Sequence, residues 1–331
     1  MRPKSGATRD RHLPEPLKTR SSTYVFERRI GTHGQRFRAH LAGRQRRPFL
    51  VHVLPRNGAI ADQIAVLRGL TDGDPNLPQI HDTFERDGSL YIVLPWVPGR
   101  VLREYLDEGH RNADSPRRLS AVEAVRLFNG FVHLLRRFNH RCNIIHGDLK
   151  PENLTVARNP NRLLMIDFGS AWVVERTTQR RATDGIDFQY AAPELIQRDN
   201  SNGAHADFRS DQFSASVIFY EMLTFERPYG GVGGMAGLPD YRHLYGSSLA
   251  PASELSPDRN RLTPKIWKAI DAAVMTGLNL DPKNRFQNFD GWLNALKAIR
   301  IESDRATELS VGSKAAVWLA NALKPFHRRK N

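Results

Sequence analysis

His146-Gly147-Asp148-Leu149-Lys150-Pro151-Glu152-Asn153 is the stretch on which the reading of this chain turns. Asp167-Phe168-Gly169 follows fourteen residues after Asn153, directly behind the apolar run Leu163-Leu164-Met165-Ile166. Asp148 and Asn153 fall on one short loop between Ile144-Ile145 and the β-prone Leu154-Thr155-Val156, and Asp167 lies at the mouth of the next strand. Two carboxylates and an amide oxygen are hard ligands, suited to Mg²⁺ that also holds phosphate oxygens. With one of the two carboxylates and the amide on the ion, the other carboxylate remains free to orient or deprotonate an attacking hydroxyl, and Lys150 can neutralise charge on a transferring phosphoryl group.

The ordered set of HGDLKPEN, DFG and Ala192-Pro193-Glu194 resembles the protein-kinase superfamily, in particular the bacterial-type, eukaryotic-like Ser/Thr kinases. A chance DFG is common; the ordered set is not. The resemblance covers about Thr23 to Arg300 and implies an α+β, bilobal protein-kinase fold. The small N-lobe would be an antiparallel sheet plus one helix, and the larger C-lobe mainly helical. The expected divisions are a disordered basic arm at 1–22 and a kinase-like domain at 23–300, with its N-lobe at 23–97 and C-lobe at 98–300. A basic amphipathic tail at 301–331 follows.

The roles implied by the resemblance are specific. Asp148 and Lys150 would be catalytic, and Asn153 and Asp167 would hold Mg²⁺. Gly31, Gly34, Arg36, Ala39, His52, Leu94, Trp96 and Val97 would line an ATP site, with Leu94 as gatekeeper and Pro95 to Gly99 as the hinge between lobes. His146, Phe168, Gly169, Glu194, Asp211 and Arg285 would be structural: Asp211 holds the catalytic-loop backbone, and Arg285 pairs with Glu194. Lys150, two residues after the aspartate, is the Ser/Thr-type choice.

The chain also departs from this family. The lysine expected on the third strand is His52, and the glutamate expected on the helix over about 59–70 is Gln63. A neutral histidine carries no charge near pH 7. No lysine stands between Lys18 and Lys150, so a migrated lysine cannot stand in. Arg36 and Arg38, on the strand leaving the glycine loop, remain as sources of the missing cation. Gly147 replaces an arginine that would bind a phosphorylated activation segment, so phosphate on Thr177, Thr178 or Thr183 is not expected to be the main switch. Ile186 stands where a substrate-side threonine is expected.

The 331-residue sequence as a whole is ordinary in composition, 40% hydrophobic and 25% charged. Its single cysteine, Cys142, rules out an internal disulfide framework and reads as a buried thiol. No apolar signal-peptide core or membrane-length run is seen, so a soluble, cytoplasmic protein is expected. The net charge of +14 favours anionic partners. Nucleic acid stays open as a partner, although no base-reading motif supports it; the tail over 311–331 reads as a docked helix or a surface-binding one. The glycine-rich run Tyr229 to Ala236 lacks the preceding strand of a dinucleotide fingerprint and is expected to be a flexible connection.

Two functions follow. One is a Ser/Thr protein kinase using ATP and Mg²⁺ on a protein substrate the sequence does not name. The other is a pseudokinase that binds nucleotide weakly and acts as a scaffold. Retention of Asp148, Lys150, Asn153, Asp167 and Gly169 favours the first, since a chain freed from catalysis has no chemical need for all five. The substituted lysine and glutamate positions favour the second.

Overall fold

The computed structural model describes residues 13–19, 21–30, 35–55, 80–142, 144–158, 162–167, 170–173, 186–196 and 206–299. Several sequence expectations lie outside them: Gly31 and Gly34, the 59–70 helix with Gln63, Phe168 and Gly169, Thr177, Thr178, Thr183, the start of the basic arm and the 301–331 tail. The Cys142 side chain is outside them as well.

Six strands form an antiparallel sheet in the order β1-β2-β3-β4-β6-β5: β1 (Leu17–Lys18), β2 (Thr23–Arg29), β3 (Gln35–Leu41), β4 (Arg44–Pro55), β5 (Asp82–Arg86) and β6 (Ser89–Pro95). The β-branched and aromatic residues of Phe49-Leu50-Val51-His52-Val53-Leu54 suit a pleated, buried surface. Alternate side chains point to opposite faces of a strand. One face gathers Tyr24, Phe26, Phe37, Ala39, Phe49, Val51 and Val53. The other gathers Leu50, Ile92 and Leu94, with Trp96 and Ile166 of the lower lobe's edge packed against them. Arg36 lies directly opposite His52 in the β3–β4 register, and His52 stands between Leu50 and Leu54 on this second face.

Two expectations are corrected here. The ordered chain begins before Thr23, because Leu17 and Lys18 pair with Tyr24 and Thr23 and Leu17 is buried. An apolar leucine at the edge of an aromatic cluster gains more from burial than from solvation. Ala39 does not line the cleft. It is fully buried among Phe37, Tyr24 and Phe49 on the far face, because a position three residues after Arg36 has the opposite strand parity.

The lower lobe is mainly helical. After β7 (Gly99–Val101) come α1 (Leu102–Arg111) and α2 (Ala121–Cys142), then β8 (Ile144–Ile145), β9 (Leu154–Ala157), β10 (Arg162–Met165) and β11 (Trp172–Val173). β7, β9 and β10 form a small sheet; β8 pairs with β11. α3 (Phe208–Thr224) is the lobe's axis: every residue from Ser210 to Thr224 is buried. Its N-cap Asp207 accepts a hydrogen bond from the Arg209 backbone N–H at 2.8 Å. α2 packs on it through Phe128, stacked 4.1 Å from Phe219. α4 (Pro264–Gly277) and α5 (residues 289–299) complete the core, with Trp292 edge-on to Phe128. Among the described residues, no helix is long and apolar enough to cross a membrane.

The glycine-rich run is also corrected. Gly233–Gly237 is a short 3-10 turn with buried Gly233 and Gly234, not a loose connection. The Gly234 N–H donates to Gln189 O at 3.1 Å. A Cβ on Gly233 or Gly234 would come within 1.8 Å of the carbonyl oxygen of Gln189 or Ala191. Here the glycines permit close backbone approach rather than flexibility.

Candidate active site

The site is built at the lower lip of the cleft. A 3-10 turn at Pro151–Asn153 opens with proline, whose fixed φ suits a helix start. That turn folds Asn153 back onto Asp148. The Asn153 side-chain amide donates to Asp148 O at 2.8 Å and to Asp148 Oδ2 at 3.1 Å. This fixes the orientation of the amide, so Oδ1 faces the cleft. The Ile166 N–H donates to Asn153 O at 2.9 Å and sets the β10 exit, with Asp167, beside the turn.

The loop is anchored from below. Asp211, in the first turn of α3, accepts from the backbone N–H groups of His146 at 2.7 Å and Gly147 at 3.0 Å. Gly147 has φ 72°, a left-handed conformation that costs glycine little. The His146 ring is buried close to the Asp167 backbone. Burial holds His146 neutral, below the ordinary histidine range, and pushes the Asp211 carboxyl above its usual range despite the two amides.

Asp148 is held by Lys150, with Nζ 2.8 Å from Oδ2. Burial raises the Asp148 pKa, and the adjacent Lys150 ammonium opposes that rise. A carboxylate with elevated proton affinity, kept ionised by one lysine, is equipped to accept a proton from a nearby hydroxyl. The Asp187 backbone N–H approaches Asp148 Oδ1 at 3.5 Å. Ile186, singled out from the sequence, packs instead against the lower core, and Asp187 is the residue of this segment that meets the catalytic-loop carboxylate.

Among the described residues, the upper wall supplies one cation to the Asp167 and Asn153 oxygens. Arg36 Nη2 pairs with Asp167 Oδ2 and also lies 3.3 Å from Asn153 Oδ1. His52 Nδ1 stands 3.7 Å from Asp167 Oδ1, and burial lowers its pKa, so the ring is neutral. Arg38 points elsewhere: it pairs with Glu27 at 3.0 Å, and its guanidinium lies 5.3 Å from the Trp96 ring. Leu94 and Trp96 belong to the apolar cluster on the cleft face. The Trp96 N–H is taken by Pro48 O at 3.1 Å, so Trp96 offers its ring rather than its amide. Val97 is partly exposed beside it. Asn153 Oδ1 and the Asp167 carboxylate are hard oxygen donors that converge on one point, a donor set that fits Mg²⁺; among the described residues no cluster of three His, Cys, Asp or Glu competes for that role.

Two ion-pair systems flank the loop. Arg285 is fully buried, pairs with both Glu194 oxygens at 2.7 and 2.9 Å, and donates to Arg209 O and Asn279 O. The second was not found from the sequence. Arg103 on α1 joins Glu152 of the catalytic stretch at 2.7 Å, the buried Glu221 of α3 at 2.9 Å, and the Tyr190 hydroxyl. Tyr190 also donates to Glu221 at 2.6 Å, and His110 lies 3.2 Å from the same carboxylate. Although burial opposes it, contact with His110, Arg103 and Tyr190 keeps the Glu221 pKa low. No local pattern joins these residues; only the acidic residue within an otherwise apolar helix hinted at it.

Comparison with known proteins bears on this geometry. Residues 55–287 match the model of the protein kinase domain. A probable serine/threonine-protein kinase of Streptomyces coelicolor is 31% identical over 204 residues, covering 60% of this chain and 27% of that protein. The serine/threonine-protein kinase PknB of Mycolicibacterium smegmatis is 31% identical over 221 residues, 64% of this chain and 31% of its own. PrkC of Bacillus subtilis, also a serine/threonine-protein kinase, is 25% identical over 235 residues, 71% of this chain and 32% of that one. The chain thus spans about a third or less of the length of these relatives. A solved structure of the Cydia pomonella granulovirus kinase PK-1 superposes with TM-score 0.62 at 19% identity, over 82% of this chain and 92% of that one. The fold is the protein-kinase fold, and the chain belongs to the protein kinase family.

Proposed function

We propose that this chain is a Ser/Thr protein kinase that transfers the ATP γ-phosphoryl group to a protein hydroxyl. The observation that carries the reading is the convergence of Asp148, Lys150, Asn153 and Asp167 around one loop, with Asp148 given raised proton affinity by burial. The substrate hydroxyl proton goes to the Asp148 carboxylate. The hydroxyl oxygen forms a bond to the γ-phosphorus as the bond to the β–γ bridging oxygen breaks, and ADP leaves. Lys150 is placed to offset negative charge on the transferring group. Asn153 Oδ1 and Asp167 would hold Mg²⁺, which supplies charge neutralisation on the phosphates. Arg36 provides the positive charge that His52, buried and neutral, cannot.

The departure at the lysine position bears on efficiency rather than reaction type. Arginine binds phosphate as a planar fork, whereas lysine acts as a point charge. A slower kinase is therefore the expectation. The test is transfer of labelled γ-phosphate from ATP to a generic Ser/Thr protein substrate and to the chain itself, with Asp148→Asn as the control. Transfer by the wild type that falls at least about a hundredfold in the variant supports the reading, since general-base catalysis contributes on that order. Identical traces from both proteins would leave a nucleotide-binding scaffold instead.

A further inference from the structure

We propose that Arg36 is the resident occupant of the divalent-cation position in the free protein, and that a divalent ion enters only when a polyphosphate draws the guanidinium away. This rests on the nucleotide-site reading above. The two oxygens suited to a divalent ion, Asn153 Oδ1 and Asp167 Oδ2, both contact the same nitrogen, Arg36 Nη2. An ion bound by both must take the volume that nitrogen holds.

The arrangement is fixed from several sides. The β3–β4 register sets Arg36 opposite His52, on the cleft face of the sheet. Asn153 cannot turn its oxygen away, because its amide nitrogen is committed to Asp148. His52 Nδ1, 3.7 Å from Asp167 Oδ1, closes the other side of the carboxylate.

Charge makes the occupancy self-sustaining. Asp167 and Arg36 already form a neutral pair, and Asp148 is matched by Lys150 at 2.8 Å. A divalent ion entering beside Arg36 would find the charges of Asp167 and Asp148 already matched. A triphosphate supplies surplus negative charge. It also offers the guanidinium a bidentate partner, to which arginine binds more strongly than to a single carboxylate oxygen. Arg36 can then move onto phosphate while the ion takes its place on Asn153 and Asp167. The arginine thereby couples metal and nucleotide binding, so that neither is held well alone.

The test uses Mn²⁺ as the probe, titrated into the full chain without nucleotide and followed by electron paramagnetic resonance. Arg36→Ala should bind Mn²⁺ at least about tenfold more tightly than the wild type, and adding methylguanidinium to that variant should weaken the binding again. The double change Arg36→Ala, Asp167→Asn should abolish the gain. Should Arg36→Ala melt early by circular dichroism, Arg36→Gln preserves the bulk of the side chain and must give the same ordering. Equal Mn²⁺ affinity in the wild type and both variants overturns the proposal, as does insensitivity of Arg36→Ala to methylguanidinium. ATP binding to the wild type with Mg²⁺ separates the two levels. If it binds while Mn²⁺ affinities are equal, only the occupancy by Arg36 falls; if no protein binds ATP, the nucleotide-site reading falls with it.

Discussion

Arg36 and Arg38 share a strand and a face, yet only one reaches the Asp167 and Asn153 oxygens in the cleft. Arg38 is tied to Glu27 and lies over Trp96, whereas Arg36 meets Asp167 and Asn153. Arg36→Ala should therefore weaken ATP binding in Mg²⁺ about tenfold or more, while Arg38→Ala should change it less than about threefold, as read by calorimetry. Equal losses would mean that the guanidinium at 36 has no privileged place. Lys150 offers a second residue-scale check. Its ammonium opposes the burial that raises the Asp148 pKa. Removing it in Lys150→Ala lets that pKa rise further, so the acid limb of the transfer rate should move to higher pH. A limb that stays put would show that Asp148 is not the titrating group. At the Glu194–Arg285 pair, both side chains are buried. Arg285→Ala strands a carboxylate and should cost about 3–5 kcal/mol of unfolding free energy in urea.

At the scale of elements, the segment 187–193 is held down by the 3-10 turn at Gly233–Gly237. Gly234→Ala drives a Cβ to within 1.8 Å of Ala191 O, so one of the two backbones must move. Protein substrate phosphorylation should fall together with protection of the Tyr190 and Ala191 amides from hydrogen exchange. Unchanged protection would contradict the packing role of the turn. This run was misread from the sequence because glycine there advertises conformational freedom, while its value lies in what packs against it. The catalytic loop was legible because its chemistry is written in eight consecutive residues, and its anchor Asp211 because it opens an apolar helix. Ala39 was misplaced because side-chain direction along a strand follows parity, and one slip in register reverses it. The Arg103–Glu221–Tyr190–Glu152 network was illegible because it joins residues as far as 118 positions apart, and only Glu221, an acid in an apolar stretch of helix, stands out in its own neighbourhood. The choice between Arg36 and Arg38 needed the pairing with His52, which a sequence does not contain.

At the scale of the molecule, two buried histidines among the described residues link stability to pH. His52 and His146 are both kept neutral by burial, with pKa values below the ordinary 6.5. The unfolded chain takes up protons there as pH falls through 6.5, and the folded chain does not. Their stabilising effect is therefore full above that pH and is lost on acidification. The raised carboxyls of Asp148 and Asp211 act in the opposite sense at lower pH. A comparison of variants isolates the histidine contribution: between pH 7.5 and 6.0, the urea midpoint of the wild type should fall more than that of His52→Gln. Parallel curves would show that His52 titrates in the folded state as it does in the unfolded one.

Both lobes contribute to the cleft: α3 anchors the catalytic loop through Asp211, and the β3–β4 hairpin brings Arg36 down onto Asp167 and Asn153. The most direct measurement is calorimetric titration of ATP with Mg²⁺ into the wild type, Asn153→Ala and Asp167→Asn, each checked for an unchanged melting profile. A working cradle for ion and triphosphate predicts that the wild type binds and that each variant loses about tenfold or more in affinity. Equal affinity in all three proteins, or no binding by the wild type, would contradict it.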